Sequence, residues 1–256
     1  PVLSSILKNP GPSMLPWMAS WSEVDLIIKN DELLLNGYTI AGDDPMTYLD
    51  CFSGNGTHEP ALTSILPYNT GSVFWIGFDD ASDFHNRVAG LMDAAGIQEE
   101  SSDDMESISK RTNFSPEHHF LSKQKNEAAL VGILQDMSEM AYYSLVGMTD
   151  AAGAFNSLKS FGAPMQYNGA DMIKLDIDRL PELLFGPGFA AGAQPYLMQV
   201  ENYLVFGGTA ASLGSFASTY RSGKTLDINE NFKLFSDNLA ADCNFFYYYN
   251  IHTLFE

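Results

Sequence analysis

The chain has few cysteines, few bases and no long apolar run, and each shortage closes off a class of function. Cys51 and Cys243 lie too far apart for a CxxC pair and are too few for a disulfide framework, so they fix no redox compartment. They sit beside Phe52 and beside Phe245 and Phe246, where a free cysteine acts as a small buried hydrophobe. No run of about eighteen apolar residues occurs, so no segment reads as a membrane-spanning helix. The start also lacks the basic, apolar and small-residue order of a signal peptide. The first residue is Pro1, which leaves room for an anchor or signal ahead of it.

Thirteen Lys and Arg against thirty-two Asp and Glu give a formal charge of −19. Such a surface repels phosphate backbones and anionic lipid heads, which argues against nucleic acid as a partner. The acidic cluster Glu99, Glu100, Asp103, Asp104 and Glu106, set among serines, reads as a solvated loop. Apolar residues are what the chain does have. At 45% hydrophobic and 12% aromatic over 256 residues, it can bury a substantial core in one large domain or two modest ones.

Residues 17–28 and 32–40 are rich in β-formers around the polar KND at 29–31, which predicts a hairpin. The same grammar recurs at 127–135 with 139–147, and at 195–208 with a turn at Glu201 and Asn202. The run 127–135 is apolar on both faces, and the turn residues after it decide for a strand. Thr149 then precedes an apolar stripe of Ala151, Ala154, Phe155 and Leu158, and Thr209 precedes one of Leu213, Phe216, Ala217 and Tyr220. These spacings predict capped helices covering the hairpins before them. A third helix, with Phe84, Val88, Leu91 and Met92 on one face, follows the strand at 72–78 and has Asp80 or Ser82 to cap it. Ser115 and Pro116 start a short helix, while 98–126 is otherwise polar and poor in pattern.

An internal offset of about 170 residues runs through the chain. Between 30–39 and 201–210, Leu34 matches Leu204, Gly37 matches Gly207 and Thr39 matches Thr209; 52–55 lies over 221–224, and 61–84 over 232–255. The expected fold is therefore α+β, a mostly antiparallel sheet of repeated β-hairpins, each covered by helices, with an internal duplication of about 170 residues. The expected division is 1–170 as a first repeat unit and 171–256 as the start of a second. Glu256 falls where the first copy is only beginning its helix, so the sequence reads as part of something longer.

The segments EAALVGILQ, EMAYYSLVGMTDAAGAFNSL, PYLMQVENYLVFGGTAASLGSF and SGKTLDINENFKLFSDNLAADCNFFYYYN, with WSEVDLIIKNDELLLNGYTI before them, resemble an uncharacterised bacterial envelope family of the Bacteroidetes type. The resemblance covers about two thirds of the chain and rests on structural motifs. It implies a periplasmic or surface-exposed body held by an anchor outside this chain, and it supplies no catalytic residue.

The candidate chemical motifs are weak. SGKT at 222–225 ends like a phosphate-binding loop, but Ser218 stands where the first glycine belongs and the segment follows a helix, so Gly223 reads as a left-handed cap. His58, His85, His118, His119 and His252 show no zinc spacing, and adjacent His118 and His119 are expected on different sides of a helix. Asp79, Asp80 and Asp83, or Asp176 and Asp178, offer oxygen ligands of the kind calcium takes, although helix capping accounts for them. Trp17, Trp21, Trp75 and the run Phe245–Tyr249 read first as core, with Phe246 and Tyr248 packing under helices or meeting a partner. No GxSxG elbow is present. No catalytic residue, cofactor site or metal ligand is assigned. The sequence points to a non-catalytic extracytoplasmic scaffold or binding protein with a protein or envelope ligand. The alternatives are a hydrolase with a site between repeats and a calcium-dependent adhesion module.

Overall fold

A computed structural model of the chain describes residues 18–28, 33–40, 47–94, 108–136, 139–237 and 240–250. The expected turn at 29–31, the acidic run at 99–106, Trp17 and His252 lie outside them. The first hairpin forms as expected. Strands β1 (Trp21–Ile28) and β2 (Leu33–Ile40) pair antiparallel from Trp21↔Ile40 to Ile28↔Leu33 and make a two-stranded sheet of their own.

Eight strands make the body. They are β3 (Thr70–Gly77), β4 (Gln124–Asp136), β5 (Glu139–Met148), β6 (Gly162–Tyr167), β7 (Ala170–Leu175), β8 (Tyr196–Val200), β9 (Tyr203–Gly207) and β10 (Phe245–Tyr249). Their order is β10-β3-β4-β5-β9-β8-β7-β6, antiparallel at every pairing. The residue 170 boundary falls at the turn of the β6–β7 hairpin, and the sheet runs through both segments because β9 pairs with β5 and β10 with β3.

Side chains alternate across the pleat, so the near-continuous apolar runs of the central strands supply two cores. One face carries Phe74, Ile76, Leu130, Val146, Phe206, Leu197 and Ile173. Over it lie α1 (Ala81–Ala94), α3 (Ala151–Leu158) and α4 (Leu180–Phe185), with the single-turn α2 (Pro116–His119) beside α3. The other face carries Trp75, Val131, Leu145, Val205, Met198 and Met172 under α5 (Ala210–Arg221), α6 (Glu230–Ser236) and the loop residues Leu62, Ile65 and Leu66. The result is a sheet buried between two helical layers.

Local chemistry sets most of the helix starts. The carboxylate of Asp80 accepts from Asp83 N, Thr209 Oγ1 from Ser212 N and Ser115 Oγ from His118 N, each satisfying an amide the first turn leaves free. One expectation shifts by a residue. Asp150, not Thr149, caps α3 by accepting from Gly153 N at 2.9 Å, while Thr149 Oγ1 donates to the Lys123 carbonyl. Tyr248 goes under a helix, one of the two outcomes expected for it, and meets Phe232 and Phe235 of α6, while Phe246 stacks on Trp75 of the neighbouring strand β3.

The β6–β7 hairpin turns on Asn168 (φ 50°) and Gly169 (φ 74°), the left-handed pair of a two-residue turn that follows strand twist. Its other end is just as tight. A Cβ added at Gly162 would run into the Lys174 carbonyl oxygen and lie 2.7 Å from Leu175 Cα, both backbone atoms that cannot rotate away. Gly162→Ala is therefore expected to cost about 2–3 kcal/mol by forcing β6 from β7, read as a lower urea midpoint.

Candidate functional site

The most polar buried group is Glu127 of β4, which is 3% exposed. Its Oε2 accepts from Trp75 Nε1 at 2.9 Å and from Ala61 N at 3.1 Å, and its Oε1 accepts from Tyr203 Oη at 2.5 Å. Glycines make room for this: Gly77 pairs with Glu127 and Gly147 with Tyr203, and a Cβ on Gly147 would stand 3.1 Å from Glu127 Cγ. Burial, with the adjacent carboxylate, pushes the Tyr203 phenol well up, so it stays a neutral donor. Three donors on two oxygens leave nothing aimed at a substrate. The acid ties β3, β4, β9 and the Ala61 loop together.

His58 is the one histidine joined to a carboxylate among the described residues. Its Nε2 lies 2.9 Å from Asp79 Oδ1, and its Nδ1 lies 2.6 Å from Asn126 Nδ2. Asp79 also accepts from Gly56 N, and its own N–H donates to Asn55 Oδ1. With both ring nitrogens engaged, this pair fastens the 55–58 loop and holds no free base. Cys243 pairs with His58 through the backbone in both directions, and burial raises its thiol pKa.

The other candidates disperse. Asp80 caps α1 and Asp83 binds Arg87, so neither shares an ion site with Asp79. Asp176 and Asp178 are engaged through their backbone carbonyls, with Arg111 and with Gln194 N. His85 meets the Leu184 carbonyl. The His118 and His119 rings lie edge to face with centroids 4.9 Å apart, His119 packing on Phe114 and Phe161 while His118 is exposed. Among the described residues no three His, Cys, Asp or Glu are grouped to hold a metal ion. Gly223 takes φ 72° just past α5, the expected left-handed cap, and Thr225 bonds Asp227. Trp75 is core, Trp21 is half exposed, and Cys51 is buried with its thiol pushed up to about 12.

The sheet itself provides the cleft. Strands β7 and β8 pair only at Met172↔Met198, Ile173↔Leu197 and Lys174↔Tyr196. Continuing that register would set Asp171 against Gln199 and Ala170 against Val200, but the strands part there. The fork opens a cleft of about 470 Å³ between Gly169–Asp171 and Gln199–Glu201, closed from one face by Phe155 and Asn156 of α3 with Lys159 just past its end, and from the other by Ala217, Tyr220 and Arg221 of α5. Phe155, Met198, Val200 and Ala217 are buried and give the cleft its apolar lining, while Asn156, Lys159, Asp171, Gln199, Glu201 and Arg221 are exposed around it. The size is that of a small-ligand pocket. Tyr220 Oη donates to Glu201 Oε1 at 2.5 Å, and this bond to a carboxylate raises the phenol pKa.

None of the family models, curated proteins or solved structures compared with the chain matches it. No helix among the described residues is long and apolar enough to cross a membrane.

Proposed function

We propose that this chain is a non-catalytic binding or scaffold protein of the bacterial cell envelope, periplasmic or surface-exposed, and that the β7–β8 fork is its ligand site. The carrying observation is the fork: a cleft with a buried apolar lining, exposed side chains able to donate and accept, and two strand edges left without a ladder partner. Its titratable pair, Tyr220 with Glu201, holds a neutral phenol on a carboxylate, an arrangement that positions rather than activates. The His58–Asp79 pair lies outside the fork and is spent on loop contacts. The envelope address rests on the family resemblance. The duplication of about 170 residues belongs to the same reading, and the aligned strands β3 and β10 lie side by side in the sheet.

The test is a melting-temperature screen against sugars, amino acids, short peptides and nucleotides. A ligand at ten times its Kd adds roughly 1.4 kcal/mol, or about 3–5 °C. At least one class is expected to give that rise, and the cleft-filling variants Ala170→Phe and Gln199→Trp to lose it while keeping the wild-type circular dichroism. A rise that both variants retain, or none with any class, contradicts the proposal. Fractionation of native cells checks the address, and recovery in the cytosol contradicts it.

A further inference from the structure

We propose that the β7–β8 fork takes a short zwitterionic peptide, its carboxylate on Lys159 and Arg221, its amine on Glu201 and Asp171, and its peptide groups on the free strand edges. This deepens the binding-site reading and rests on it.

Each of the four charges of the cleft is anchored within the protein. Lys159 Nζ donates to Asn156 Oδ1 at 2.8 Å and lies 5.3 Å from the centre of the Phe155 ring. Arg221 donates from Nε to the Ala217 carbonyl at 3.1 Å and from Nη2 to the Asn168 carbonyl at 3.4 Å. Glu201 accepts from Tyr220, and Asp171 from the Gln166 amide at 2.7 Å. Every partner is neutral. In a chain with thirty-two acids and thirteen bases, two cations and two anions line one small cleft without forming an ion pair among themselves.

Neutral anchors thus keep the opposite charges apart and leave bonding capacity on each. A guanidinium has five N–H groups and an ammonium three, and the protein engages two and one of them here. A ligand with one charge of each sign meets both sets, whereas an ion of one sign meets repulsion from the other. The same cleft is lined by the apolar side chains of Phe155, Met198, Val200 and Ala217, suited to an aliphatic side chain. Beyond Met172↔Met198 the edges of β7 and β8 offer main-chain groups at strand spacing, the means by which sheets recognise extended peptides. A dipeptide carries all three features, and a free amino acid lacks the peptide group.

The experiment is isothermal titration calorimetry at low salt with the dipeptide Leu-Leu, its N-acetyl form, its C-terminal amide and the doubly capped form. Free Leu-Leu is expected to bind, and each cap to weaken binding about tenfold by removing a charge-assisted contact. Glu201→Gln should shrink the penalty of N-acetylation, and Lys159→Ala with Arg221→Ala that of amidation. All three positions are exposed, and circular dichroism checks the fold. Capped forms that bind as well as the free dipeptide overturn the inference and leave the cleft as an apolar site. If no dipeptide binds while another class raises the melting temperature and Ala170→Phe abolishes that rise, the zwitterion inference falls and the binding-site reading stands. Silence from every class removes both.

Discussion

Glu127→Ala is expected to lose about 4 kcal/mol of folding stability, more than Gly162→Ala or any substitution in the fork. Alanine would strand the Trp75 indole N–H, the Tyr203 hydroxyl and the Ala61 amide, which now converge on the carboxylate in a buried site. Each orphaned donor costs on the order of 1–3 kcal/mol, and partial collapse of the space returns some of it. Chemistry separates this from simple loss of bulk. In Glu127→Gln the amide oxygen can serve Trp75 and Ala61 while its NH2 meets the Tyr203 hydroxyl, which can rotate to accept, so the expected loss is only about 1–2 kcal/mol. Tyr203→Phe removes one donor and is expected to cost about the same. Urea unfolding followed by circular dichroism reads all three. A Glu127→Ala loss no larger than that of Tyr203→Phe would show that the carboxylate is not the tie between strands.

Raising the pH past about 10 is expected to unfold the protein cooperatively. Burial pushes the Tyr142 and Tyr248 phenols and the Cys51 thiol up to about 12, Tyr249 adding to the shift at Tyr142 and Asp50 at Cys51. Tyr48, Tyr143, Tyr203 and Tyr247 are raised as well, each chiefly by burial. For all of them the fold favours the neutral form. Their stabilising contribution is complete below the unfolded-state values, near 9 for the thiol and 10 for phenols, and is lost as pH climbs toward the folded values. Several groups share that window, so the first ionisations make the next easier by opening the core. Phenolate absorbance near 295 nm should rise together with the loss of circular dichroism between about pH 10 and 12. Ordinary titration near pH 10 with an unchanged fold would contradict the burial of these side chains.

Some of this was readable from residues alone. Strands β4, β5, β8 and β9 follow from apolar runs that stop at polar pairs, and the caps at Asp80, Ser115 and Thr209 follow from hydroxyl or carboxylate groups placed just before apolar stripes. Local pattern does not mark the β6–β7 hairpin, although Asn168-Gly169 is a strong turn signal. Gly162 to Tyr167 is only partly buried on either face and contains Pro164, so its alternation is faint and the proline speaks against a strand. Pro164 is tolerated because β6 is the edge of the sheet. Long-range pairing was beyond a local reading, since β9 lies against β5 and β10 against β3 for reasons of shape and burial that no short pattern carries. The fork was hidden for the same reason, because it exists where pairing ends. Its one trace in the sequence is that Lys159 and Arg221, two of only thirteen bases, end or follow the α3 and α5 helical stretches.

A ligand site in the fork should show itself in amide chemical-shift mapping of the labelled chain with Leu-Leu. Saturable shifts are expected at Gly169, Ala170, Asp171, Gln199, Val200, Glu201 and Arg221, on both sides of the gap that β7 and β8 leave. Saturable shifts centred instead on His58, Asp79 and Asn126, or no saturable shift with Leu-Leu or with any compound of the melting screen, would contradict it.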